Sequence, residues 1–119
     1  MSDLPRAEAT ARAADLVVTL TWMWPEALVI VVGEVDHFTV GMLSRRLTEA
    51  VSAGADKVTL DASGISFLGA AGIRSLATAA RSLRERGGDL VVLDARPALQ
   101  RVLVLLGLDG RMTLLEGYR

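Results

Sequence analysis

The sequence predicts a single α/β domain with a mixed, mostly parallel sheet opened by a β-hairpin, in the order β-β-α-β-α-β-α-β. Three observations carry this prediction. Residues 16–22 alternate apolar and polar side chains, and residues 27–33 follow as a continuous apolar run after Pro25. Three later segments repeat apolar residues at three- and four-residue spacing, as the face of a packed helix does. Short apolar runs at 57–61, 89–94 and 112–115 separate or follow those segments, and strands joined by helices of this length need the crossovers of a parallel sheet.

Each element has a local reason. Residues 1–14 are small, polar and alanine-rich, with Pro5 and no apolar face, so they are expected to form a flexible N-terminal segment ahead of a domain at 15–119. The first strand sets Leu16, Val18, Leu20 and Trp22 on one side and Val17, Thr19 and Thr21 on the other. Pro25 cannot donate to a ladder and favours a turn. The run 27–33 then reads as a strand buried on both faces and paired with the first. Thr39 is the expected N-cap of a helix whose stripe is Val40, Leu43, Leu47, Ala50 and Val51, and Gly54 is its stop. The strand at 57–61 leads through a loop into a helix that starts near Gly69-Ala70-Ala71-Gly72, carries Ile73, Leu76, Ala77, Ala80 and Leu83 inward, and ends at Gly87-Gly88. After the strand at 89–94, Pro97 occupies a first helical position and Leu99, Val102, Leu103 and Leu106 form the expected buried face. Asp109-Gly110 turns the chain into the last strand.

Composition narrows the function. With 119 residues the chain is long enough for one hydrophobic core, and it has no cysteine for disulfides, thiolate metal sites or thiol nucleophiles. Its 13 basic and 14 acidic residues leave a formal charge of −1, which attracts neither nucleic acid nor an anionic membrane. No apolar run approaches the roughly 20 residues that cross a bilayer. Residues 1–14 contain Asp3 and Glu8 and lack the apolar core of a secretory signal, so a cytoplasmic location is expected.

Catalytic motifs fail one after another. His37 is the single histidine, beside Asp36 in a loop, and no Gly-x-Ser-x-Gly elbow accompanies it. Clustered imidazoles or carboxylates for a metal are missing from the sequence. The segment 69–74 has neither the Lys-Ser/Thr of a phosphate loop nor the third glycine of a dinucleotide fingerprint. It matches an RNA-binding Gly-x-x-Gly loop in form, but Ala70 and Ala71 bring no charge, and Arg74, Arg81 and Arg84 with Glu85 read as a solvated face. No catalytic residue, cofactor, metal, nucleic acid or membrane partner is therefore expected. The Gly-Ala-Ala-Gly start of the helix either eases a tight turn or leaves bare backbone for a partner to approach.

Five short segments in register favour a partner. Gly33-Glu34-Val35-Asp36, Val58-Thr59-Leu60-Asp61 followed by Ile65-Ser66-Phe67, Gly72-Ile73-Arg74, Arg84-Glu85-Arg86-Gly87-Gly88, and residues 102–108 occur in the order seen in STAS domains. Over residues 15–116 the chain resembles the bacterial anti-sigma factor antagonists. The resemblance implies a STAS-like domain that binds a serine-kinase-type anti-sigma factor, frees a sigma factor and so regulates transcription. In that family, phosphorylation of a serine or threonine at the start of the helix after the third strand prevents binding, since a phosphate adds charge and bulk to an interface fitted to a neutral loop.

The family pattern at this loop is Asp-Ser-Ser/Thr-Gly, and here Gly69, Ala70, Ala71 and Gly72 stand in its place. The acid is missing, and so is the phosphorylatable hydroxyl, whose equivalent is Ala71. The implied partner surface comprises Asp36, His37, Phe38, Leu68, Gly69, Ala70, Ala71, Gly72 and Arg74. A competing reading makes Phe38 a core residue and Asp36 only a helix cap. Two functions follow: an antagonist whose loop stays permanently in the unphosphorylated form, or a diverged STAS module that binds a small ligand or another regulatory protein. A monomer or weak homodimer is expected.

Overall fold

The chain forms β1 (Ala9–Ala13), β2 (Leu16–Met23), β3 (Glu26–Val35), α1 (Val40–Ser52), β4 (Lys57–Leu68), α2 (Ala70–Arg84), β5 (Asp89–Leu93), α3 (Pro97–Leu105), a short 3-10 turn (Leu108–Gly110) and β6 (Thr113–Leu115). The structure is a computed structural model and describes residues 9–13 and 15–117. All six strands share one sheet, in the order β1-β2-β3-β4-β5-β6. β1, β2 and β3 are antiparallel neighbours, whereas β3 to β6 run parallel. The eight predicted elements appear in the predicted order, with β1 added in front.

β1 departs from the expectation of a flexible segment. Ala9 pairs with Leu20 and Ala13 with Leu16, so the backbone of this alanine-rich stretch saturates the outer edge of β2. Backbone pairing of this kind needs no apolar face, which is why composition does not reveal it. The rest of the expected flexible segment, residues 1–8 and 14, lies outside the described residues.

The position of the core follows from handedness. The crossovers β3-α1-β4 and β4-α2-β5 both advance across the sheet in the same direction, and right-handed connections then place both helices on one face. α1 and α2 pack against each other there, and Val18, Val29 and Leu60 from the sheet join Leu43, Leu76 and Leu83 from the helices in one buried cluster. The opposite face remains partly open. Along β3, Ala27, Val29 and Val31 are buried, while Leu28 and Ile30 are half-buried and Val32 is exposed. The expected two-faced burial of this strand is thus corrected: an unbroken apolar run carries no period, and the one-sided helix layer imposes one.

Two further boundaries differ from expectation. β4 runs through Ile65, Ser66 and Phe67 to Leu68, a stretch read from the sequence as a loop, because it continues to pair with β3 across two register shifts. α3 begins at Pro97 as predicted, but only Leu103 of its expected buried face is buried; Leu99 is half-buried, and Val102 and Leu106 face outward. No helix among the described residues is long and apolar enough to cross a membrane.

The glycines at the helix ends behave as the sequence predicts. After α1, the N–H of Gly54 bonds to the carbonyl of Val51 and that of Ala55 to the carbonyl of Ala50; after α2, Gly87 bonds to Arg84 and Gly88 to Leu83. Both ends form the paired-bond motif that requires a left-handed residue, and Gly54 and Gly87 supply it with φ of 92° and 83°. Gly33 is more constrained. Its φ is 122°, and a Cβ there would lie 1.9 Å from the Asp15 carbonyl oxygen, which accepts the Glu34 N–H at 2.9 Å. A Cβ on Gly87 would meet nothing. We expect Gly33→Ala to cost at least about 3 kcal/mol in urea unfolding, clash added to backbone strain, and Gly87→Ala only the left-handed penalty of about 1 kcal/mol. Similar losses in the two variants would contradict the Asp15 contact.

Candidate protein-binding site

β3 and β4 finish side by side. Val35 pairs with Leu68, and the Gly69 N–H then donates to the Val35 carbonyl at 2.9 Å. This bond fixes the β3–α1 corner beside the start of α2, because the carboxyl ends of parallel strands gather at one end of the sheet.

The corner is a closed hydrogen-bond circuit. Asp36 Oδ1 accepts from the N–H of Phe38 at 2.9 Å and of Thr39 at 3.0 Å, while Thr39 Oγ1 accepts from the Asp36 N–H at 3.0 Å. The Thr39 hydroxyl also lies within hydrogen-bonding distance of Asp36 Oδ1 and the Glu34 carbonyl, at 3.1 and 3.2 Å. Thr39 holds the N-cap position of α1, but its side chain reaches back to Asp36 and caps nothing in the helix. The predicted cap is corrected in that respect: the aspartate closes the turn. Bonds from the Thr39 N–H, with help from those of Phe38 and the Thr39 hydroxyl, hold the Asp36 carboxyl below its usual value of 3.8.

Phe38 is no core residue. It is 83% exposed, and its ring lies 3.9 Å, centroid to centroid, from that of His37. His37 is exposed as well, so the corner presents two adjacent rings outward.

At the start of α2, Gly69 is the N-cap, no side chain caps the helix, and its first turn has no acidic residue. The N–H groups of Ala70, Ala71 and Gly72 precede the first intrahelical bond, from Ile73 to Gly69, and of these three residues Ala70 is exposed, Ala71 half-buried and Gly72 buried. Ala70 and Arg74 are exposed, Leu68, Gly69 and Ala71 half-buried. Gly69 has φ −78° and ψ 178°, a conformation open to any residue.

Gly72 does not leave room for a partner, contrary to the sequence expectation. It is buried, and a Cβ there would stand 2.4 Å from Leu68 Cδ1 and 3.1 Å from Val35 Cγ1. Its role is to let α2 settle on the ends of β3 and β4.

From Ala71 a groove of about 690 Å³ descends between α1 and α2. Val40 and Arg74 line its upper part and Ser44, Thr48, Ser75 and Thr78 its walls. The sequence reading overlooked these hydroxyls, although their three- and four-residue spacing on facing helices was a usable signal. Among the described residues no group of three His, Asp or Glu converges as metal ligands would. The arrangement offers hydrogen-bond donors, small side chains and two exposed rings, which suits recognition of a protein surface.

Residues 23–116 match the family model described as Mlab, STAS domain. The chain belongs to the STAS family. A relative described as an anti-sigma F factor antagonist, from Paenibacillus polymyxa, is 26% identical over 85 residues, spanning 71% of this STAS domain chain and 73% of that protein. An anti-sigma factor antagonist from Mycobacterium paratuberculosis has a similar structure, with a TM-score of 0.73 at 25% identity, covering 96% of this chain and 90% of that one. The antagonist SpoIIAA in its unphosphorylated form reaches a TM-score of 0.73 at 19% identity over 86% of this chain and 89% of its own, which supports the STAS fold alone.

Two measurements test the local geometry. The depressed carboxyl of Asp36 adds stability that is fully present above pH 3.8 and is lost as pH falls through the lower folded value. Asp36→Asn should therefore melt below the parent protein at neutral pH, and the gap should close in acid; a gap that persists there would show the charge to be irrelevant. For Gly72→Ala, overpacking of about 1–3 kcal/mol opposes a helix-propensity gain of up to about 1 kcal/mol. A net loss near 1 kcal/mol is expected, and in a Leu68→Ala background the same substitution should become neutral or stabilising.

Proposed function

We propose that this STAS domain is an anti-sigma factor antagonist that binds a kinase-type anti-sigma factor, frees a sigma factor, and does so without phosphorylation of its loop. The contact surface is the β3–α1 corner with Asp36, His37 and Phe38, together with Leu68, Gly69, Ala70, Ala71 and Arg74; Gly72 shapes it from beneath. The observation that carries the reading is the uncapped start of α2 held against the β3–α1 corner by the Gly69–Val35 bond. The names of its relatives support the partner class. Ala71, half-buried where the groove opens, stands at the position that the family resemblance assigns to the modified hydroxyl. A loop without that hydroxyl keeps the neutral, binding-competent surface at all times.

The experiment is a binding titration with a kinase-type anti-sigma factor. Ala71→Glu places a carboxylate where a phosphate would act, and because Ala71 is only half-buried it should change stability by no more than about 1 kcal/mol. Desolvating that unpaired charge at the interface costs several kcal/mol, so affinity should fall by about 100-fold or more. Incubation with the partner and ATP should leave residues 69–72 unmodified, and Ala71→Ser should retain binding. Equal binding by Ala71→Glu and the parent would move the interface elsewhere and favour a diverged module with a different ligand.

A further inference from the structure

Phe67, one residue before the end of β4, is 54% exposed, and Val102 of α3 is exposed as well. Both line one cleft of about 230 Å³ between the end of β4 and α3, whose other apolar walls include Leu68 and Leu99. An aromatic side chain left in water beside an apolar cleft marks a surface that something covers.

The cleft's position identifies the cover. Leu68 belongs both to this cleft and to the proposed contact surface. The Phe67 ring reaches that surface too: a Cβ built on Gly69 would stand 3.4 Å from its Cε2 and 3.6 Å from its Cζ, ordinary contact distances. A protein seated on the start of α2 therefore meets the Phe67 ring and reaches the mouth of the cleft.

The lining selects the chemistry of what enters. Ser66 and Arg96 are its polar members, Arg96 Nε donates to the Ser63 carbonyl at 3.3 Å, and no carboxylate takes part. An acidic side chain would pair with Arg96 and leave the apolar walls uncovered. A cavity of roughly 150 Å³ holds a benzene ring, so 230 Å³ has room for one large apolar side chain. An apolar anchor in a pocket, ringed by groups that exclude water, is how a few residues come to dominate the affinity of an interface. We propose that Phe67, Leu99 and Val102 extend the partner surface, and that the anti-sigma factor places one leucine- or phenylalanine-sized side chain between Phe67 and α3. This anchor rests on the proposed function and adds three residues to its contact surface.

The test is a binding titration of the full chain with a kinase-type anti-sigma factor, run on Phe67→Ala, Val102→Asp and Leu105→Glu beside Ala71→Glu. Phe67→Ala and Val102→Asp should each weaken binding by about 10-fold or more, whereas Leu105→Glu, on an exposed residue outside the cleft, should stay within about 2-fold of the parent. Circular dichroism verifies each fold, and Val102→Asp on the opposite wall keeps the test decisive should Phe67→Ala fail to fold. Loss of binding in Ala71→Glu with full affinity in Phe67→Ala and Val102→Asp would overturn the anchor and leave the proposed function standing. An equal loss in Leu105→Glu would overturn it too, since the cleft would then have no special part. A parent protein that binds no such partner would end the proposed function and the anchor together. Sedimentation velocity on the parent alone checks the other occupant: a dimer that Phe67→Ala dissolves would give the cleft to a second copy and overturn the proposal.

Discussion

The parallel pairing of β3 with β4 is the contact on which the other elements depend. It is the junction between the antiparallel hairpin side and the parallel side of the sheet, and it continues from Glu26 and Lys57 to Val35 and Leu68. Two register shifts, after Ile30 and after Gly33, let strands of unequal length finish level. Without them Leu68 would not lie beside Val35, the Gly69 N–H would lose its acceptor, and α2 would start at a different height relative to α1. The geometry of the candidate interface is thus inherited from strand register, several residues before any residue of the interface itself.

The helix layer depends on the same junction. α2 meets its neighbours through Gly72, Ala79 and Ala80, and its larger buried side chains, Leu76 and Leu83, reach past them into the core. Small residues let the helix backbone come close to the sheet and to α1, and close packing is what holds a short strand-to-helix turn in one conformation. The hydroxyl-lined groove is the outward side of that approach: where two helices carry serine and threonine above the core, their flanks stay open to water.

What the sequence made legible was whatever is decided within a few neighbouring residues. Gly54, Gly87 and Pro97 mark helix boundaries because backbone angles and missing donors act locally, and the structure places each where expected. The cap expected from Thr39 is replaced by a turn that Asp36 closes, accepting from the N–H groups of Phe38 and Thr39, and the contribution of Asp36 as a partner contact remains a proposal. Properties decided by how one element packs or pairs against another stayed hidden. β1 exists through the backbone edge of β2, the extension of β4 through β3, and the burial of Gly72 through Val35 and Leu68. The buried face expected for α3 held only at Leu103, because periodicity cannot state which part of an apolar arc meets the core and which part is left in water.

The order of strands in the sheet is the order of strands in the chain. Every strand after the first therefore finds its neighbour already synthesised, and no strand has to wait for a segment that comes later. The segments enclosed between neighbours are a turn, a single helix, or, between β5 and β6, a helix and a 3-10 turn, so closing each one loses little chain entropy. A sheet of this kind can grow during translation from its amino-terminal edge, one strand at a time, with the growing edge always the most recently made. The Val35–Gly69 junction uses no residue of β5, α3 or β6, so its backbone contacts ask nothing of the carboxyl-terminal third of the chain.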